Sequence, residues 1–162
     1  MIKNNLFLLL FIPFFSFSQT DYSNRWEDFY SYNNVKDFIN IDETIYALAD
    51  NAVFIYDTNT QEIQKLSSII GLSGATTSAL HFNETNRRLV IGYETGLIEI
   101  LNEDGGITIS ADIVNFNQSG EKRINHISEH NNKLYISTPF AIVEYDINKL
   151  EFGDTFFIGR NS

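Results

Sequence analysis

Three residues able to bind a metal or move a proton recur at one spacing. Asp37, His81 and His126 stand 44 and 45 residues apart. Imidazole and carboxylate groups together suit a borderline metal ion or a polar ligand. Residues this far apart meet only if the chain repeats and stacks its repeats. Two basic pairs also stand out, Lys122-Arg123 and Arg87-Arg88. Either suits an acidic glycan or an acidic partner, and either also suits the solvated end of a strand. The 162 residues contain no cysteine, which excludes disulfides, zinc–thiolate sites and cysteine nucleophiles. No G-x-S-x-G, H-E-x-x-H, Walker loop or dinucleotide fingerprint occurs. The expectation is a protein that binds and is not an enzyme, with no metal and no cofactor assigned.

The elements that would position these residues do repeat. Residues 89–101, Leu-Val-Ile-Gly-Tyr-Glu-Thr-Gly-Leu-Ile-Glu-Ile-Leu, read as strand, tight turn and strand. Residues 44–57 and 133–146 repeat the pattern, with Ile45, Leu89 and Leu134 spaced by 44 and 45 residues. That period marks β-propeller blades. Each repeat begins with an innermost strand, at 35–38, 79–82 and 124–127. A polar turn leads into the hairpin, and an outer strand follows at 65–70, 107–113 and 152–158. Asp37, His81 and His126 fall at the same place in the innermost strands, beside the axial channel. They either converge there as a ligand site, or bond local backbone and water, or point between blades. The connectors 70–78 and 115–123 are the longest, and loops on rigid scaffolds carry function. Asp57-Thr58-Asn59 echoes the opening of a calcium loop but lacks the later glycine and glutamate, so it reads as a hairpin turn.

The fold class is therefore all-β: a partial propeller ring of about three four-stranded antiparallel blades plus an N-terminal closing strand. The blades span about 35–78, 79–123 and 124–162. Rings usually need about four to eight blades, so the chain reads as the front of a larger protein. Residues 1–18 read as a cleavable signal peptide. An apolar run of about a dozen residues follows Lys3, and Ser16 and Ser18 precede the cut. The run is far short of the roughly 20 residues of a membrane-spanning helix, and no second run follows. Residues 19–34 hold Trp26, Phe29, Tyr30 and Tyr32, read as a strand that closes the ring. The formal net charge of −10 argues against nucleic acid, whose phosphates need Lys and Arg.

The Ile91-Gly92 and Gly96-Leu97 steps, with Tyr56-Asp57 and Tyr145-Asp146, resemble the repeat of the two-component regulator propeller family. The segments 26–38, 65–74 and 110–120 resemble PorZ-type proteins of the type IX (Por) secretion system of Bacteroidota. That resemblance implies an exported scaffold on the outer-membrane surface. It also implies a PorU-like sortase and anionic lipopolysaccharide as partners in cargo attachment. The site residues weighed for such binding are Asp37, His81, His126, Lys122 and Arg123. Two competing readings are a periplasmic sensory propeller that binds oligosaccharide, and a propeller enzyme acting on glycans.

Overall fold

The computed structural model describes residues 34–117 and 119–157. The expected signal peptide and closing strand lie outside the described residues. Among the described residues, twelve strands form three four-stranded antiparallel sheets in sequence order. Blade one holds β1 (Asp37–Ile41), β2 (Thr44–Leu48), β3 (Val53–Asp57) and β4 (Ile63–Leu66). Blade two holds β5 (Thr77–Asn83), β6 (Arg88–Tyr93), β7 (Ile98–Leu101) and β8 (Ile107–Ser110). Blade three holds β9 (His126–His130), β10 (Lys133–Ser137), β11 (Ala141–Asp146) and β12 (Glu151–Phe157). The innermost strands neighbour one another, β1 against β5 and β5 against β9. These are propeller blades in a ring that is not closed.

Two apolar seams hold the blades together. Leu48 and Val53 of blade one pack with Leu80, Phe82, Leu89, Ile91 and Tyr93 of blade two. Ala79, Val90, Ile98 and Ile100 of blade two pack with Ile127, Leu134, Ile136, Val143 and Tyr145 of blade three. Blade two is therefore buried on both faces, and β6 is buried without a break from Leu89 to Tyr93. That explains its continuous apolar run. In blade three, β10 and β11 alternate strictly between buried and partly exposed residues. Each fully buried Leu, Ile or Val contributes about 1.5–3 kcal/mol.

The outer strands of blades one and two are shorter than the sequence suggests, and that of blade three runs its expected length. In blade one the strand ends at Leu66, and Ser68–Ile70 is a single 3₁₀ turn capped by Ser67. In blade two it ends at Ser110, and α1 (Asp112–Asn115) follows. Short segments of mixed apolar and polar residues do not distinguish strand from helical turn. Leu72, just past the 3₁₀ turn, and Ile113 of α1 lie in the seams. Among the described residues, no helix is long and apolar enough to cross a membrane.

Candidate functional site

Register decides the fate of the three recurring residues. Asp37 pairs with Leu48 and His126 with Ser137, each partner three positions past the repeat marker, Ile45 or Leu134. His81 pairs with Val90, one position past Leu89. Blade two has a longer first turn. Four residues separate Asn83 from Arg88, whereas two separate Ile41 from Thr44 and His130 from Lys133. The sequence spacing hides this shift. Asn131 and Asn132 both take positive φ, +52° and +59°, as a two-residue type I′ hairpin requires.

The three residues also address different interfaces. Asp37 shares a face with Leu48, which is buried against blade two. His81 crosses to blade three, where its Nε2 lies 2.9 Å from Glu129 Oε2. The other Glu129 oxygen accepts from Asn83 Nδ2 at 2.7 Å, and an open pocket of about 440 Å³ lies beside the pair. His126 alternates with Ile127, whose side chain is buried in the seam with blade two, so His126 lies on the far face. Of the three arrangements the sequence leaves open, the geometry favours the last: each side chain lies on its own blade's face toward the following blade position, so the three lie on different faces. Among the described residues, no group of three His, Asp or Glu side chains is placed to hold a metal ion.

The cations are committed locally. Lys122 Nζ donates to the carbonyls of Val114 and Phe116, the latter at 2.8 Å, and so closes the connector after α1. Arg123 stands 3.8 Å from Glu94 Oε1. Arg87 pairs with Glu103 at 3.1 Å and lies over the Phe82 ring. Arg88 bonds Asn102 at 2.9 Å and the Ile147 carbonyl of blade three. Between blades one and two, a groove of about 410 Å³ is lined by the stacked Tyr46 and Phe82 rings and by Arg87. Burial raises the Tyr46 phenol pKa above its ordinary value, and the Arg87 charge partly opposes this.

The Tyr-Asp steps have a structural role. Asp57 Oδ1 accepts from the backbone of Asn59 and Thr60 at 2.8 and 2.9 Å. Asp146 Oδ1 accepts from Asn148 and Lys149, both at 3.0 Å. These bonds hold both carboxyls below the usual carboxylate range. The hairpin-turn reading of 57–59 fits this geometry.

The connector face carries what the sequence did not announce. Glu99 is fully buried. Its carboxylate accepts from Ser73 N at 2.9 Å and from the Tyr93 hydroxyl. Burial first, and the Glu99 partner second, push the Tyr93 phenol far up. The first connector is thereby tied to blade two. At the next interface a pocket of about 220 Å³ opens between α1 and the rim of blade three. Phe116 and Phe140 stack beside it with centroids 5.5 Å apart and planes 3° from parallel. The only sequence signal was the length of the connector.

Adjacent four-stranded blades with neighbouring inner strands define a β-propeller module. The family profile of the type IX secretion system (TSS9) PorZ N-terminal β-propeller domain matches residues 45–162. The chain belongs to that family. Among solved structures it is similar to PorZ of Porphyromonas gingivalis, described as an essential bacterial surface component of the type IX secretion system. Identity is 22% and the TM-score 0.69, over 75% of this chain and 16% of that one. It is also similar to the extracellular domain of BT4673 of B. thetaiotaomicron, assigned to a one-component system. There identity is 15% and the TM-score 0.63, over 81% of this chain and 18% of that one. The RRP9 WD40 repeats share 11% identity at a TM-score of 0.58, over 74% of this chain and 37% of theirs. The chain thus spans about a sixth of the PorZ structure it matches. No curated protein matches the sequence.

Proposed function

We propose that the chain is the N-terminal propeller portion of an exported surface scaffold of the type IX secretion system, acting by binding and not by bond chemistry. The observation that carries this is the PorZ family match over residues 45–162. In this reading residues 1–18 are removed on export, residues 19–34 lend a closing strand, and the blades follow from residue 35. The scaffold holds partner proteins, a PorU-like sortase among them, or anionic lipopolysaccharide during cargo attachment. Protein partners draw the greater support. Lys122, Arg87 and Arg88 are held by protein groups, which leaves them poorly placed to gather an anionic glycan. Asp37, His81 and His126 lie on separate faces: His81 bonds Glu129 of the next blade, and Asp37 accepts from the Phe38 amide.

Affinity purification of the tagged full-length protein from cell surfaces tests this. Recovery of secretion-complex proteins is the expected result. Recovery of neither those proteins nor anionic lipopolysaccharide would overturn the reading. The similarity to the BT4673 extracellular domain supports a second reading, a sensory propeller that binds oligosaccharide. A kinase or DNA-binding region in the rest of the protein would select it.

A further inference from the structure

The two interfaces between blades are closed differently at their outer rims, and the difference leaves a binding site. Glu99 pairs with Ile91, and Val143 pairs with Ile136. Ile91 and Ile136 each stand two positions past the repeat marker, so Val143 occupies the place of Glu99. By the same count Thr138 occupies the place of Tyr93. At the first interface the Glu99–Tyr93 pair fills the rim and binds the connector through Ser73 N. At the second, Thr138 turns to its own hairpin and bonds Ala141. Val143 is small and apolar. The space left is the 220 Å³ pocket, floored by Val143 and Ile113 and walled by Phe116, Phe140 and Phe152.

Its size and chemistry narrow the occupant. Small-molecule clefts run to roughly 300–1,000 Å³, and this pocket is smaller, on the scale of one large side chain. Phe116 stays 37% exposed. Asp112 stands on the pocket's rim. One of its oxygens accepts from Ser110 Oγ at 3.0 Å, and it makes no ion pair among the described residues. The chain carries a formal net charge of −10. An apolar socket, an aromatic face and an unpaired carboxylate together match an apolar side chain with a cation beside it. We propose that this pocket docks a partner polypeptide through one large apolar residue flanked by lysine or arginine. The apolar side chain enters beside the stacked Phe116 and Phe140 rings, over Val143 and Ile113, and the basic group meets Asp112 and the Phe116 ring.

The inference deepens the scaffold reading and rests on it only in taking the protein to act by binding. Its test uses no secretion component, so its failure and the failure of that reading are separable. Fluorescein-labelled eight-residue peptides are titrated into the full-length protein and followed by anisotropy: alternating Lys–Leu, Lys–Ser and Glu–Leu. Saturable binding of the Lys–Leu peptide is expected, with the other two at least about tenfold weaker. Asp112→Asn should weaken the Lys–Leu peptide about threefold to tenfold and flatten its salt dependence. Phe140→Ala should weaken it about tenfold or more at any salt. Circular dichroism melts of each variant establish that it is folded. Equal binding of Lys–Leu and Lys–Ser would reduce the effect to the chain's overall charge and overturn the proposal. So would wild-type affinity in both folded variants. Absence of saturable binding would overturn it too.

Discussion

Gly96 offers a quantitative test of how the second connector is held. It takes φ +88°, and a Cβ there would stand 2.8 Å from Ile113 Cγ2 and 2.9 Å from the Lys122 carbonyl oxygen. Gly105 is its natural control, with φ +85° and nothing within 4 Å of the same position. An alanine forced into left-handed backbone costs roughly 1–2 kcal/mol. Overpacking against fixed neighbours adds about 1–3 kcal/mol. Gly105→Ala should therefore cost about 1–2 kcal/mol and Gly96→Ala about 2–5 kcal/mol, a large share of typical domain stability. Urea unfolding of the full-length protein reads the difference as a shift of midpoint at constant slope. Hydrogen exchange should rise at the Ile124 amide, which bonds the Tyr93 carbonyl at 3.2 Å, in Gly96→Ala only. Equal losses in the two variants would refute the idea that the connector lies on Gly96.

Three other outcomes follow from the buried and capping groups. Glu99→Gln keeps the volume but turns an amide donor toward Ser73 N or Tyr93. It should cost about 1–3 kcal/mol and speed exchange at Ser73, and unchanged exchange would count against the tie. Tyr145 has its pKa raised to about 12, by burial first and by the Asp112 charge second. Its contribution to stability is full below pH 10 and is lost as pH rises toward 12, and Tyr93 acts in the same direction. Because the Tyr145 hydroxyl is buried with no bonding partner among the described residues, Tyr145→Phe should be neutral or slightly stabilising at pH 7 and should soften the alkaline loss, read by melts across that range. Asp57 and Asp146 have depressed pKa values, so their contribution is present above the ordinary value of 3.8 and falls away as pH drops below it. Asp57→Ala and Asp146→Ala should lower stability at pH 7 and flatten the acid limb, while a steep limb retained in the double variant would contradict the turn role.

The repeat hairpins were legible because their signals are local. Strand runs, turn residues and a period near 44 residues are all properties of short segments read in order. Gly92 and Gly96 were legible as a signature, but their reason was not. A Cβ at 92 would meet Ile124 Cγ2 at 2.8 Å, and Gly96 lies under Ile113 and Lys122. All three neighbours belong to the connector or the start of the next blade. The outer strands of blades one and two were overextended because the apolar residues at the ends of 65–70 and 107–113 belong to short helical turns, with Ile113 buried and Ile69 and Ile70 exposed.

What the sequence by itself determined is the blade: its strands, its order, and the Asp57 and Asp146 turns. Those depend on contacts a few residues apart. Only the tertiary structure decided which gap each polar side chain enters. Two extra turn residues moved His81 two positions along its strand, on the same face, which brings it to Glu129. A connector fold drew Lys122 onto backbone carbonyls, and the exchange of Glu99 for Val143 opened the aromatic pocket. Each of these depends on groups from separate blades or connectors meeting across a seam. A one-dimensional period cannot carry that information, because equal spacing along the chain is not equal register in the sheet.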